Sequence, residues 1–309
     1  MKLEMEASRR ETAGAAGEAR RGVVYVLAAA TLMGTSGTTA SFAPATAGPV
    51  SVGAARLVVG GLGLLLALPF LGGRRAHVLR LWRTRIGAAA GVATALYQVA
   101  FFGGVALAGV ALGTLLTIGA APLFAGILSW STLGERPRAA WWASTAICVP
   151  GLALLSLDGT SRAGVEPLGI AVALAAALLY AGYTVAARQL MRRGATSAEA
   201  MATGFGLGGL LMVPVLIAGG IGWLVGPAGL GVALWLGLGT VTLGYTLFGR
   251  GLQVLPAGPV TTLMLAEPLV AALLGVAFLG EALGPAGWAG AALVASGLAL
   301  QGRSLADGT

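Results

Sequence analysis

Ten apolar runs of about 20 residues each, separated by short polar gaps, fill the sequence from residue 22 to residue 302. That length is what an α-helix needs to cross the hydrocarbon core of a bilayer. The runs lie at roughly 22–43, 51–71, 86–104, 111–132, 138–157, 167–188, 200–219, 229–249, 258–279 and 285–302. They are continuous rather than alternating with period two, so helices and not a transmembrane β-barrel are expected. No gap could hold a soluble domain. Composition agrees: 57% of residues are hydrophobic and 10% charged, where a soluble domain carries about 25% charged residues. These values exclude a soluble enzyme, a disordered chain and a secreted disulfide scaffold. The fold class is therefore an all-α integral membrane protein.

Residues 1–21 read as a polar, disordered tail. With Ala45 and Ala47 they also carry elements of a cleavable signal peptide. The repeat described below needs the first run as a structural partner, so retention is expected.

The formal net charge is +8. In a soluble protein that excess would point to nucleic acid, but here it falls in the gaps between apolar runs, where it sets membrane orientation. With the N-terminus in the cytoplasm, one side collects Lys2, Arg9, Arg10, Arg20, Arg21, Arg74, Arg75, Arg80, Arg83, Arg85, Arg136, Arg138, Arg188, Arg192, Arg193, Arg250 and Arg303. Arg162 alone falls on the other side, and Arg56 lies inside the second run. Shifting the segment count by one destroys this asymmetry. Ten helices with both termini cytoplasmic, in contact with membrane lipid and not with nucleic acid, are expected.

A shift of 146 residues carries Pro122 onto Pro268, Gly134-Glu135 onto Gly280-Glu281, Trp142 onto Trp288 and Gly151 onto Gly297. It also aligns Phe102-Gly103 with Phe248-Gly249, Ser51 with Ser197, Gly60 with Gly206, Leu64-Leu65 with Leu210-Leu211 and Thr38 with Thr184. One gapless offset thus superposes repeat 1 (22–157) on repeat 2 (167–302). Each repeat has an odd number of helices, so the second starts on the opposite side of the membrane. A 5+5 inverted-topology repeat follows, an architecture of secondary transporters that hold substrate near the midplane between the repeats.

The paired stretches Ala121-Pro122-Leu123…Leu133-Gly134-Glu135 and Glu267-Pro268-Leu269…Leu279-Gly280-Glu281 resemble the EamA-type branch of the drug/metabolite transporter superfamily. Each is followed by a Trp and a Gly-Leu-Ala-Leu ending, at 151–154 and 297–300. The resemblance covers nearly the whole chain after the tail. It implies ten helices and transport of small organic metabolites. A softer similarity to bacterial inner-membrane exporters of aromatic and other neutral amino acids implies that substrate class.

Several residues are candidates for the chemistry. Glu267 falls near the middle of the ninth run, where a carboxylate costs about 2.5–3.5 kcal/mol on insertion scales. It is read as a ligand for a substrate ammonium, a proton carrier, or a hydrogen-bonding strut beside Pro268. Pro122 and Pro268 each remove a helix hydrogen bond and are read as symmetry-related hinges or as static kinks. Tyr97, Gln98, Phe101, Tyr180, Tyr183, Thr184, Thr38 and Tyr245 are candidate lining of an aromatic substrate cavity. The repeat places Gly34 and Gly37 opposite Tyr180 and Tyr183, an asymmetry that a site for an asymmetric ligand requires. Ordinary helix packing is the competing reading for each.

Glu135 and Glu281 read as acids at the starts of the fifth and tenth helices, complementing their dipoles. Arg56 reads as snorkelling to the interface, with guidance of a carboxylate as the competing reading, His77 as a solvated loop residue, and Trp82, Trp141, Trp142 and Trp288 as an interfacial belt. Gly204, Gly206, Gly208 and Gly209 read as a close-packed helix face.

No cofactor or metal is expected, since His77 and Cys148 are the sole His and Cys. A serine protease would need a His near a buried Ser, and His77 lies in a loop. No Gly-Lys-Ser/Thr follows any Gly-rich run, so ATP-driven pumping in cis is excluded. A channel, a carrier of cationic drugs and a carrier of nucleotide-sugars remain as alternatives; the last would want more intramembrane cations than Arg56. The small-molecule reading requires no more than a monomer.

Overall fold

The computed structural model describes residues 2–157 and 166–307, and for residues 2–13 the backbone alone. Arg162 lies outside the described residues. Every regular element among the described residues is helical, and the α-helices are α1 (Lys2–Ala40), α2 (Pro49–Ala67), α3 (Arg75–Trp82), α4 (Arg85–Ala108), α5 (Val110–Leu133), α6 (Ala139–Leu157), α7 (Pro167–Arg192), α8 (Ser197–Ala218), α9 (Pro227–Leu234), α10 (Gly244–Val254), α11 (Ala257–Leu263), α12 (Ala266–Leu279) and α13 (Pro285–Asp307). A π-helical stretch, Trp235–Leu243, joins α9 to α10 into one span. The chain breaks at Met264 and Leu265 between α11 and α12, which form another.

Among the described residues, nine helices are long and apolar enough to cross a membrane. The tenth, α13, has 23 residues and packs along α6. Helix starts carry the expected chemistry. Pro49, Pro167 and Pro227 occupy first-turn positions, where a missing N–H costs nothing. Thr84 accepts a hydrogen bond from Gly87 N at 3.1 Å. Thr196 and Glu199 form a reciprocal capping box.

Two boundaries differ from expectation. α1 begins at Lys2, so the segment read as a disordered tail is a helical extension of the first span. The basic gap after α2 folds into the short α3, anchored to α8 by a carboxylate. Glu199 accepts from Arg74 N at 3.0 Å and lies 2.9 Å from His77 Nδ1. His77 is therefore tethered to a buried acid, not merely solvated.

The inverted repeat is visible in the contacts. Under the 146-residue shift α1, α2, α4, α5 and α6 correspond to α7, α8, α9–α10, α11–α12 and α13. The contacts between halves occur in mirrored pairs: α4 with α7 and α1 with α10, α5 with α7 and α1 with α12. α2 packs on its own mate α8, and α6 on its mate α13. At the α6–α13 crossing, a Cβ on Gly151 would lie 2.9 Å from the carbonyl oxygen of Gly290 and from Val294 N. A Cβ on Gly297 would lie 2.9 Å from Ser144 O and 3.2 Å from Cys148 N. These are the same positions exchanged, the signature of a two-fold axis in the membrane plane.

The Gly-Glu motifs serve as helix stops. Gly134 and Gly280 both sit at φ +71°, a conformation that penalises any side chain. The following amides close the turn, Glu135 N to Ser129 O at 3.3 Å and Glu281 N to Gly275 O at 3.2 Å. Glu135 and Glu281 thus close the ends of α5 and α12 through their backbone amides, and neither opens α6 or α13, which start at Ala139 and Pro285. Gly204, Gly206, Gly208 and Gly209 lie on the faces of α8 that meet α2 and α4, where a Cβ on Gly209 would come 2.7 Å from Leu57 O. Trp141 departs from the belt reading. It is 2% exposed, and its indole N–H donates to Thr262 Oγ1 at 3.0 Å. Trp142 and Trp288, equivalent under the shift, are half exposed on the surface.

Candidate substrate-binding cleft

A cleft of about 540 Å³ opens between α1, α2, α4, α5, α6 and α12. Its mouth is formed by residues such as Ala43, Ala47, Val110 and Ser156, at the helix ends opposite the face that carries both termini. A much smaller chamber of about 30 Å³ continues below, and Met33, Arg56, Tyr97, Ile118 and Glu267 line both. These five residues are therefore the cleft floor. The walls are largely apolar and the polar groups few, the usual composition of a small-ligand site.

The break in the α11–α12 span sets the position of Glu267. Pro268 has no N–H to return to the carbonyl of Met264. That carbonyl instead accepts the Glu267 amide at 2.9 Å, and α12 restarts with Glu267 in its first turn. There the positive end of the helix dipole complements a carboxylate. Among the described residues no side chain hydrogen bonds or ion pairs with the Glu267 carboxylate.

Arg56 faces it from α2. Its Nε donates to Thr240 Oγ1 at 3.1 Å, across the interface between the repeats. The π-helical stretch brings Thr240 there, since its widened turn packs against α2: a Cβ on Gly237 would collide with the side chain of Val59. Irregular turns of this kind recur at functional sites. Arg56 is thus held inside the bundle and lines the cleft, which corrects the snorkelling reading.

The aromatic candidates separate into a wall and its support. Tyr97 and Phe101 face the cleft, with ring centroids 5.9 Å apart. Tyr180, Tyr245 and Gln98 reach only the lower chamber. Gln98 spends its amide on Gly53 O at 3.1 Å. Tyr183 and Thr184 lie behind this layer. The Tyr183 hydroxyl pairs with that of Tyr245 at 2.9 Å, and the Thr184 hydroxyl is buried without a partner. Thr38 lines neither space, although its neighbours Gly37 and Ala40 do. Pro268 lines the cleft; Pro122 is buried inside an uninterrupted α5. The pair read as symmetrical hinges therefore comprises one break and one continuous helix. Sequence reasoning missed Met33, Phe102, Ser36 and Thr240. Arg56 had a usable signal, being the one Arg inside an apolar run.

The opposite face is closed. Arg188 Nε donates to Glu135 Oε1 at 3.0 Å, and its Nη1 donates to Leu252 O and Gln253 O, both at 2.7 Å. Glu135 also accepts from Ser129 and, at 3.2 Å, from Ala257 N at the start of α11. One ion pair therefore ties the α5 end to α7, α10 and α11. Glu135 does complement a helix N-terminus, but that of α11. Under the 146-residue shift Arg188 corresponds to Phe42, so the cleft mouth has no equivalent lock. A smaller cavity of about 330 Å³, lined by Ala19, Glu135, Trp141 and Leu305 among others, lies beside the lock on the termini face.

The family model of EamA-like transporters matches this chain twice, over residues 20–157 and 167–302. The two matches coincide with the two repeats. The chain belongs to the EamA-like transporter family. It is 40% identical over 275 residues, 89% of this chain and 91% of the other, to "Uncharacterized transporter YwfM" of Bacillus subtilis (strain 168). It is 28% identical over 257 residues, 83% and 84% of the two chains, to the "Probable terminal-alkyne amino-acid exporter" of Streptantibioticus cattleyicolor. A solved structure titled "Crystal structure of protein" superposes with a TM-score of 0.76 at 23% identity, covering 90% of this chain and 95% of that one. That likeness concerns the fold. This EamA-like protein is accordingly a multi-pass membrane transporter built from two inverted five-helix units.

Proposed function

We propose that this EamA-like transporter exports neutral amino acids, aromatic ones included, across the bacterial inner membrane by alternating access. The observation that carries the proposal is the cleft itself. It reaches the middle of the bundle from one face, ends on a carboxylate and a guanidinium beside Tyr97, has Phe101 in its wall, and is closed at the other face by Glu135–Arg188. The name of the Streptantibioticus relative supports the substrate class. The basic residues of the termini face support a cytoplasmic position for both ends, so the state described here opens to the outside.

The inverted repeat supplies the second state. Exchanging the conformations of the two halves closes this cleft and opens its mirror image on the termini face. A proton-carrying role for Glu267 and its role as a ligand make different demands on flux, and the same assay separates them. Purified protein in liposomes is screened for uptake of labelled amino acids, sugars and cationic drugs, with and without a pH gradient. Saturable flux of neutral amino acids is the expected result. Flux confined to sugars or to cationic drugs would overturn the assignment.

A further inference from the structure

We infer that Arg56 and Glu267 form a two-point receptor for a zwitterion, with Arg56 taking the α-carboxylate and Glu267 the α-ammonium of an amino acid. The inference rests on the proposed amino-acid function and assigns its specificity to two residues.

Both groups line the cleft floor and the chamber below it. They come from different repeats, Arg56 from α2 and Glu267 from α12. Among the described residues the two opposite charges form no ion pair with each other. That is an unusual arrangement for opposite charges in a low-dielectric interior, where direct pairing would offset part of the desolvation cost. The geometry explains it: Thr240 on the π-helical stretch holds Arg56 by its Nε, and the broken helix fixes Glu267 in the first turn of α12. The Nη groups of Arg56 and both oxygens of Glu267 are left without a hydrogen-bonded partner among the described residues. An α-amino acid carries the complementary charges on one carbon and can satisfy both at once. The Ser36 hydroxyl, buried in the cleft wall with no partner, is a further polar group available to the head.

The apolar side chain would then rest among Met33, Tyr97 and Ile118. The shift of 146 residues places Ala202 and Ala121 at the positions equivalent to Arg56 and Glu267. The receptor therefore exists once, at the interface between repeats. Exchange of the halves changes which face it is open to without creating a second receptor.

The chemistry predicts that both charges of the ligand are needed. A monoamine leaves Arg56 unpaired and a monocarboxylate leaves Glu267 unpaired, and each unmet charge-assisted hydrogen bond costs about tenfold or more in affinity. The test is competition in proteoliposomes against uptake of labelled L-phenylalanine, L-leucine and L-alanine. Competitors are phenethylamine and isoamylamine, which lack the carboxylate, and 3-phenylpropionate and 4-methylpentanoate, which lack the amine. Unlabelled amino acids should compete at least about tenfold better than either class. Arg56→Gln should lower amino-acid uptake by about tenfold or more, and in the residual uptake the monoamines should compete as well as amino acids; Glu267→Gln should do the same for the monocarboxylates. Arg56→Lys keeps the charge but not the fork, and should retain partial uptake with the competitor ranking unchanged.

Equal competition by amines or acids in the wild-type protein would overturn the two-point receptor while leaving amino-acid transport standing. That comparison requires no variant to fold. Absence of uptake for every amino acid in the panel would overturn the proposed function and this inference together.

Discussion

Replacing Glu135 by glutamine removes the charge that seals the termini face while keeping the side chain's shape. The carboxylate and Arg188 are 11% and 14% exposed, so the pair is largely shielded from solvent. Hydrogen bonds to charged groups contribute about 1.5–3 kcal/mol each. In the alternate state α5 and α7 must separate on this face, so the pair is made in one state and absent from the other. The loss then counts against the cleft-open state alone and shifts the equilibrium by roughly tenfold to a hundredfold. The repeat identifies where to read the shift. Ala271 in the cleft wall corresponds to Ala125, which is fully buried here. Ala125→Cys, in a Cys148→Ala background, should therefore react with a polar maleimide from the termini face only while the alternate state is populated. Glu135→Gln should raise that rate by about tenfold or more. An unchanged rate in a folded, monodisperse variant would refute both the lock and the symmetry argument.

Other outcomes follow from single residues. Gly134→Ala and Gly280→Ala should each cost about 1–2 kcal/mol, read as lowered thermal midpoints, because both glycines sit at positive φ; unaltered midpoints would contradict the cap geometry. Pro268→Ala should reduce transport more than folded yield by allowing α11 and α12 to fuse, whereas Pro122→Ala should affect flux less; equal effects would contradict the single break. Tyr97→Ala should weaken amino-acid competition severalfold, on the order of 1 kcal/mol, whereas Tyr183→Phe should leave substrate ranking unchanged; the reverse pattern would exchange wall and support. Cysteines placed in the 44–50 and 220–228 loops should label from outside the cell, and one near residue 78 should not.

Much of the scaffold is legible in the sequence, because hydrophobic length and a gapless repeat are properties of the backbone path. Pro268 and the Gly-Glu stops act through local geometry, so their consequences travel with the residue. The site is less legible. In a membrane protein, lipid-facing and core-facing positions are both apolar, and periodicity does not say which side of a helix lines a cleft. Hence Tyr97 and Tyr183, alike in type and setting, separate into wall and support. Arg56 reads as snorkelling because its anchor, Thr240, lies 184 residues away on an irregular turn that no local pattern announces. Trp141 resembles the belt tryptophans until its partner Thr262 is seen on another span. Glu135 stabilises a helix start, but that of α11, because the acid reaches a helix remote in sequence.

The central claim is that one amino-acid receptor is exposed alternately to the two faces, and counterflow tests it most directly. Liposomes containing the protein are loaded with unlabelled L-leucine and diluted into a trace of labelled L-leucine. A carrier whose site alternates should accumulate label transiently above its equilibrium level before the gradient dissipates. Monotonic filling to equilibrium would indicate a channel, and no flux beyond that of protein-free liposomes, with leucine and equally with phenylalanine and alanine in its place, would show that this receptor does not carry these amino acids; either result would contradict the account.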